Sequence, residues 1–232
     1  TKDMYTQGTT LPGVFGAASP KGNYADMTTK GWEITLSYNN TFQLANKPFH
    51  YEIIGTLGDY KSVIDKFNNA TKSIGAWPAG TTNYYKGMTV GEIWGLTTEG
   101  FFTSKEEIAN HADQSLINAN TSAEYHVGDI KFKDLNGDGV INYGDNTVDN
   151  PGDRKVIGNS LPRYNFSIRL SADWNNFFVS AFFQGVGKQD WYTGNDNALY
   201  WGLYARPYGV MPKKVVEQMW SEDNQNTYFP RL

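Results

Sequence analysis

The chain has 232 residues with 20 Lys plus Arg against 24 Asp plus Glu, a net charge of −4, so there is no basic surplus for a nucleic-acid surface or an anionic membrane patch. Cysteine is absent, which excludes thiol catalysis, thiolate metal sites and a disulfide framework. No apolar run reaches the roughly 18 residues of a membrane helix, but a β-barrel stays open, and an aromatic content of 15% calls for either interfacial girdles or a sugar-binding surface.

Residues 1–29 are rich in Gly, Pro, Ser and Thr, with LPG at 11–13 and SPKGN at 19–23, and read as irregular connection. No targeting segment is visible ahead of them, as expected if one was removed or if these residues come from inside a longer protein. From Gly31 the pattern changes. Trp32, Ile34, Leu36 and Tyr38 alternate with Glu33, Thr35, Ser37 and Asn39, which predicts a strand with one apolar face. Phe49, Tyr51, Ile53, Gly55 and Leu57 form a second strand whose polar face is interrupted by Ile54, and residues 40–48 are short enough to join the two as a hairpin. Residues 61–127 read as a long and mostly irregular excursion, uncommon inside a compact domain and typical of functional surface loops. Within it, 90–102 reads as a short hairpin, and Ser104 with Glu107 forms a capping box that starts a helix at Lys105.

The run DLNGDGVINYGD at 134–145 is the stretch whose residue order implies chemistry. Asp134, Asn136 and Asp138 stand at positions one, three and five of an EF-hand-type loop, Gly139 at six and Asp145 at twelve. A hard cation such as calcium takes six to eight oxygens; Val140 would add its carbonyl and Asn142 would act directly or through a water. Gly139 permits the sharp turn. Asp145 is one methylene shorter than the Glu of a helical EF-hand, and the alternation of Ile130 and Phe132 with charged neighbours predicts strand flanks instead of helices. Without an ion, Asn-Gly and Asp-Gly would still make a tight turn here.

Further on, Tyr164, Phe166, Ile168, Leu170, Ala172 and Trp174 alternate with polar residues, Asn175 and Asn176 form a two-residue turn, and Phe177, Val179, Ala181 and Phe183 return on the apolar face. The length suits a tilted strand crossing a bilayer, with Tyr164 and Trp174 at the two interfaces. Four such strands put the connections at 40–48 and 175–176 on one side of a membrane and 61–162, with the cation loop, on the other, which is the short-turn, long-loop asymmetry of outer-membrane barrels. A helix is predicted over 212–220 with Val215, Val216, Met219 and Trp220 on one face. Arg163 and Arg169 read as cross-strand partners of carboxylates. His50, His111 and His126 lack metal-ligand spacing and read as structural, and no nucleophile motif or phosphate loop is present, so an enzyme is not expected.

The segments PKGNYADMTTKGWEITLSY (20–38), YYKGMTVGEIWGLTTEGFFTSKEEI (84–108), GDIKFKDLNGDGVIN (128–142), RKVIGNSLPRYNFSIRLSADWNNFFVSAFFQGVG (154–187) and FPRL (229–232) together resemble the SusC/RagA-like TonB-linked outer-membrane proteins. The resemblance implies an all-β fold: an antiparallel transmembrane barrel segment, part of a large plugged barrel of the 22-strand type, with long extracellular loops and a few short helices. It implies a multi-pass place in the Gram-negative outer membrane and import of oligosaccharides or peptides with a SusD-like surface lipoprotein as lid, powered through TonB. Residues 1–232 would then be a partial barrel whose outer loop region is 61–162; nothing in them resembles the plug or the TonB box. Residues 143–155 are longer than the family's usual step and hold a second Asp-rich turn, which leaves open the ligand at the last loop position. The alternative from another class is a soluble, calcium-dependent β-sandwich that binds carbohydrate.

Overall fold

The computed structural model describes residues 1–7, 14, 16, 20–75, 83–117, 124–194, 198–205 and 209–232; the turn at 11–13 and part of that at 19–23 lie outside them. Nine strands are described: β1 Met4–Gln7, β2 Lys21–Leu44, β3 Lys47–Lys66, β4 Glu92–Gly95, β5 Thr98–Phe101, β6 Ile130–Phe132, β7 Lys155–Asn159, β8 Arg163–Trp174 and β9 Phe177–Lys188. Three short α-helices accompany them, α1 Lys105–Asn110, α2 Ala198–Ala205 and α3 Lys213–Val216, with a 3-10 turn at Ser115–Ile117. The chain divides into two compact units, one of residues 1–68, 85–92 and 158–191, the other of 69–84, 93–157 and 192–232.

The first unit is a five-stranded antiparallel sheet in the order β1-β2-β3-β8-β9. Its two long hairpins close through two-residue turns, Ala45–Asn46 and Asn175–Asn176, in which all four residues have positive φ (48°, 61°, 47° and 65°). That is the type I′ geometry whose twist matches the flanking strands. The hairpin expected over residues 40–48 is therefore tighter, because Phe42 and Leu44 continue the alternation past the polar Asn40.

Both long strands also extend where an irregular chain was expected, through 21–30 and 61–66. These segments lack an apolar pattern and pair with each other instead: Thr28 Oγ1 donates to Asp65 Oδ2 at 2.5 Å, and Thr29 and Ser62 share a 2.8 Å hydroxyl bond. Register inherited from the apolar half keeps the ladder going once the pattern that announces it has stopped. At this end Arg163 forks onto Asp59, with Nε 2.5 Å from Oδ1 and Nη2 on Oδ2, so the expectation of a cross-strand carboxylate holds for Arg163.

In the second unit, β5 pairs with β6, while β4 belongs to a sheet with β7; the hairpin expected within 90–102 does not form. Leu96 and Thr97, which separate β4 from β5, are poor residues for the positive φ of a two-residue turn. The core here is Phe102 and Ile141, both fully buried, with Phe102 edge-on to His111 at 5.3 Å. A second cluster joins Val215, Met219 and Phe229 to Trp201, Leu203, Tyr204 and Met211. It includes α2, which the sequence did not announce. The helix expected over 212–220 is cut to α3, because Met219 bridges to Phe229 and Trp220 N donates to Phe229 O at 3.0 Å, drawing the chain into extended pairing. Val215 and Met219 are buried as expected, whereas Val216 is exposed.

The capping box forms at α1: Ser104 Oγ accepts from Glu107 N at 3.1 Å. Glu107 in turn reaches back to Thr103, taking its N–H at 2.7 Å and its hydroxyl at 2.9 Å, and binds the Lys131 ammonium of β6. Lys131 and then the Thr103 donors hold the Glu107 carboxyl down at about 2, from 4.5. A depressed carboxylate contributes stability above its unfolded value and loses it as pH falls towards its folded value. Hydrogen-exchange protection of the Thr103 amide should accordingly be flat above pH 4.5 and decline from there towards about 2, while Glu107→Gln should start less protected and show no such decline.

Candidate functional site

Residues 128–154 build the loop that the sequence singled out, in the second unit. Its entry is fixed by Gly128, whose φ of +93° and lack of Cβ let the chain pass against the Trp220 ring and accept Arg231 N at 3.0 Å. The loop proper is a series of side-chain-closed turns. Asp134 takes Gly137 N on Oδ1 at 2.6 Å and Gly139 N on Oδ2 at 2.8 Å. Asn136 Oδ1 takes Asp138 N at 3.0 Å, Asp138 Oδ1 takes Val140 N at 2.8 Å, and Asn142 Oδ1 takes Gly144 N at 2.7 Å. Each is an Asx turn, in which a short polar side chain supplies the acceptor that a helix or ladder would otherwise give. Gly137 and Gly139 take φ of +77° and +82°, where a Cβ would be strained. The Gly139 amide, followed by other loop amides, pulls the Asp134 carboxyl below the ordinary Asp range.

Behind this curl Ile141 is fully buried, and its neighbour Val140 forms a parallel bridge with Asp113: Asp113 N donates to Gly139 O and Ile141 N to Asp113 O, each at 2.8 Å. Two residues absent from the sequence-level set complete the frame. Asp153 is wholly buried, and its carboxylate accepts Leu135 N on Oδ1 and Asn142 N on Oδ2, both at 2.8 Å, while its own N–H donates to Asn142 O. It thus staples loop positions two and nine. Arg154, 3% exposed, lies 5.3 Å above the Tyr143 ring and donates to Tyr143 O, Asn146 Oδ1 and Pro151 O. Burial pushes the Tyr143 hydroxyl up to about 12 and lowers the guanidinium from its usual value. The signal for both was the second Asp-rich turn, but a twelve-residue frame ends before it.

The six predicted ligands are distributed unevenly. Asp134, Asn136 and Asp138 close one curl, with Asn136 Nδ2 on Asp138 Oδ2 at 2.9 Å; the Val140 carbonyl accepts Asn142 Nδ2 at 3.2 Å; and Asp145 accepts Asn150 Nδ2 at 2.9 Å. Among the described residues no three His, Cys, Asp or Glu side chains gather as a metal-binding group. The donors that do gather are all oxygens, which suits a hard cation and no soft one. A carboxylate oxygen holding one amide keeps a further acceptor site.

The first unit offers a different surface. Its register aligns apolar residues across four strands: Ile34, Leu57 and Phe166 in one row; Leu36, Gly55, Ile168 and Phe183 in the next; then Tyr38, Ile53, Leu170 and Ala181; and finally Phe42, Phe49, Trp174 and Phe177, an all-aromatic row beside the turns. Phe42 and Phe49 stand 5.1 Å apart, and Trp174 Nε1 donates to Leu44 O at 3.1 Å. The opposite face carries Thr35, Thr56, Ser167 and Gln184 in register, with Thr56 and Ser167 sharing a 2.6 Å bond. The apolar face is open: Leu36 is 72% exposed, Phe177 73% and Val179 65%.

This is a barrel-type antiparallel wall. In fold it matches a solved structure titled as the RagAB peptide transporter, with a TM-score of 0.56 and 15% identity, over 100% of this chain and 22% of that one. In sequence it is similar to TonB-dependent receptor P26 of Formosa agariphila, 25% identical over 233 aligned residues, 96% of this chain and 20% of the receptor. The chain spans about a fifth of the length of each. No family model matches.

Asp153→Asn should be the most damaging single change in the loop, since it replaces one of two acceptor oxygens by a donor facing a buried amide. A loss of about 2–3 kcal/mol is expected, read as a lower unfolding temperature of the loop unit. Asp145→Asn, at an exposed position, should change little.

Proposed function

We propose that the chain forms wall strands and outer loops of an outer-membrane, TonB-dependent transporter that imports an oligosaccharide or peptide together with a SusD-like lipoprotein. The observation that carries this reading is the register-continuous apolar face ending in an aromatic row, backed by a face with polar rows such as Thr35, Thr56, Ser167 and Gln184. Ten residues separate Trp32 from Phe42. At a rise of ~3.4 Å they cover about 34 Å of strand, which a tilt of about 40° shortens to ~26 Å, close to the ~25 Å apolar band of outer-membrane barrels. The similarity to a TonB-dependent receptor supports the same assignment. The polar face then looks into the lumen, the two type I′ turns face the periplasm, and the connection after β3 leaves on the outer side. In the transport cycle substrate would be held between outer loops and lipoprotein lid, and the energised plug, contacted by TonB, would open the path. In a complete barrel the free edge of β9 is paired, as lipid requires of every backbone group.

Fractionation of cells making the full-length protein tests this. Recovery in the outer membrane with a heat-dependent shift in gel mobility is the expected result, and the lipoprotein should copurify. Recovery in the soluble fraction would overturn the assignment.

The loop is proposed to hold calcium through Asp134, Asn136, Asp138, the Val140 carbonyl and Asn142, with Asp145 as the sequence-level candidate for the last position. The ion would neutralise carboxylates that the loop amides already orient, and so order the outer surface. Calcium at about a hundred times its Kd should raise stability by about 2.7 kcal/mol, and Asp134→Ala should abolish the increment. Identical melting in calcium and in chelator would remove the ion from the account.

A further inference from the structure

Asn136 with Gly137 is the one Asn-Gly pair in the 232 residues, and the curl of the loop presents it to water. An asparagine side chain loses ammonia when the backbone nitrogen that follows attacks its amide carbon, which makes asparagine a labile residue. A following glycine favours the attack, because it has no Cβ to block the approach. Here Asn136 and Gly137 are both exposed, and no described atom lies within 4 Å of where a Gly137 Cβ would stand. Both water and a free path to the amide carbon are therefore available.

The bonds that close the curl oppose the reaction. Gly137 N donates to Asp134 Oδ1 at 2.6 Å, which occupies the nucleophile. Asn136 Oδ1 accepts Asp138 N at 3.0 Å and its Nδ2 donates to Asp138 Oδ2 at 2.9 Å, which fixes the group to be attacked. All three bonds are exposed, so water competes for them and local opening costs little. We propose that Asn136 is a deamidation site gated by this curl. In the closed loop the nitrogen and the amide stay in their own hydrogen bonds. In the open loop Gly137 N bonds to Asn136 Cγ, the Cγ–Nδ2 bond breaks, and ammonia leaves with the proton of the Gly137 N–H. Water then opens the five-membered imide to Asp or to its β-linked isomer. With Asp at this position a carboxylate oxygen replaces the Nδ2 donor and faces Asp138 Oδ2, and like charges so close repel. The β-linked isomer lengthens the backbone by one carbon and loses the Asx turn. Either product favours the open curl. The site stands without the calcium reading; an ion held by Asn136 would add a further brake.

The test incubates full-length protein, extracted in detergent, in water enriched in heavy oxygen, with calcium or with chelator. Mass spectrometry follows the peptide containing residue 136, and fragment ions place the label. Heavy oxygen should enter at residue 136 faster than at any other asparagine. Asp134→Ala, which frees the Gly137 amide, should speed that entry about fivefold by opening the curl. If that variant does not assemble, Asp134→Asn, which keeps one acceptor oxygen, takes its place and should speed entry by a smaller factor. Asn136→Asp, the product written into the chain, should lower hydrogen-exchange protection of the Asp138 and Val140 amides in chelator; unchanged protection would overturn the effect on the curl. Label entering no faster at residue 136 than elsewhere, or at a rate that opening the curl leaves unaltered, would overturn the site. Fast entry that is equal in calcium and in chelator would keep the site and remove the ion.

Discussion

The pairing register of four strands is the constraint on which the first unit depends. A slip of one residue in β3 or β8 would carry Ile53, Leu57, Phe166 and Leu170 to the polar side and bring Glu52, Arg169 and Asp173 onto the apolar one. Two devices hold it. The two-residue turns fix β2 against β3 and β8 against β9 with no slack, since lengthening either would change the twist as well as the offset. The β3–β8 seam has no turn; the Arg163 fork on Asp59 locks its register at one end, and at the other Trp174 Nε1 reaches past β3 to Leu44 O at the end of β2. Glycine adds a steric check: a Cβ on Gly185 would stand 2.5 Å from the Phe166 ring, so β9 can offer no side chain of its own opposite Phe166.

The loop unit solves a different problem. A chain that turns repeatedly without helix or ladder leaves backbone amides to satisfy, and here Asp134, Asn136, Asp138, Asn142 and Asp153 accept seven of them between residues 135 and 144. The same carboxylates that make the loop attractive to a cation are therefore its internal scaffold. An acidic curl is thus held by its own amides, and the most buried acid, Asp153, lies outside the twelve-residue frame read from the sequence. Its neighbour Arg154 does the reverse, offering donors to the carbonyls and the Asn146 amide oxygen of the 143–151 segment.

What the sequence made legible follows from where apolar periodicity is present. β8 from Asn165, the first half of β9 and the Asn175–Asn176 turn were readable because alternation, length and turn chemistry agree there, whereas Tyr164, with φ of +56°, drops out of the β8–β9 register. The capping box at Ser104 was readable because both halves of the signal are local. The ends of β2 and β3 were not, since polar strand pairs such as Thr29 with Ser62 carry no periodic mark and depend on register set elsewhere. The failed helix beyond Val216 shows the same dependence: its apolar spacing is helical, yet Phe229, far along the chain, supplies the competing backbone partner. In the loop the ligand-type residues were visible and their shared role in closing turns was partly so, whereas Asp153 needed the fold to bring it beneath Leu135.

Whether the wall belongs to a barrel or to a sandwich turns on what could cover its apolar face. A sandwich needs a second sheet of comparable extent packed about 10 Å away. Beyond the five strands of the wall, the described strands are β4 and β5 with 4 residues each, β6 with 3 and β7 with 5. At about 3.4 Å per residue these span at most ~17 Å, against 12 residues in each of β8 and β9 and 20 or more in β2 and β3. Nor is the face composed like a sandwich interior. Its turn end is an all-aromatic row, and side chains as apolar as Leu36 and Val179 stay open. A surface of that length and gradation is what the proposed lipid-facing wall requires, apolar along its strands and aromatic at its edge.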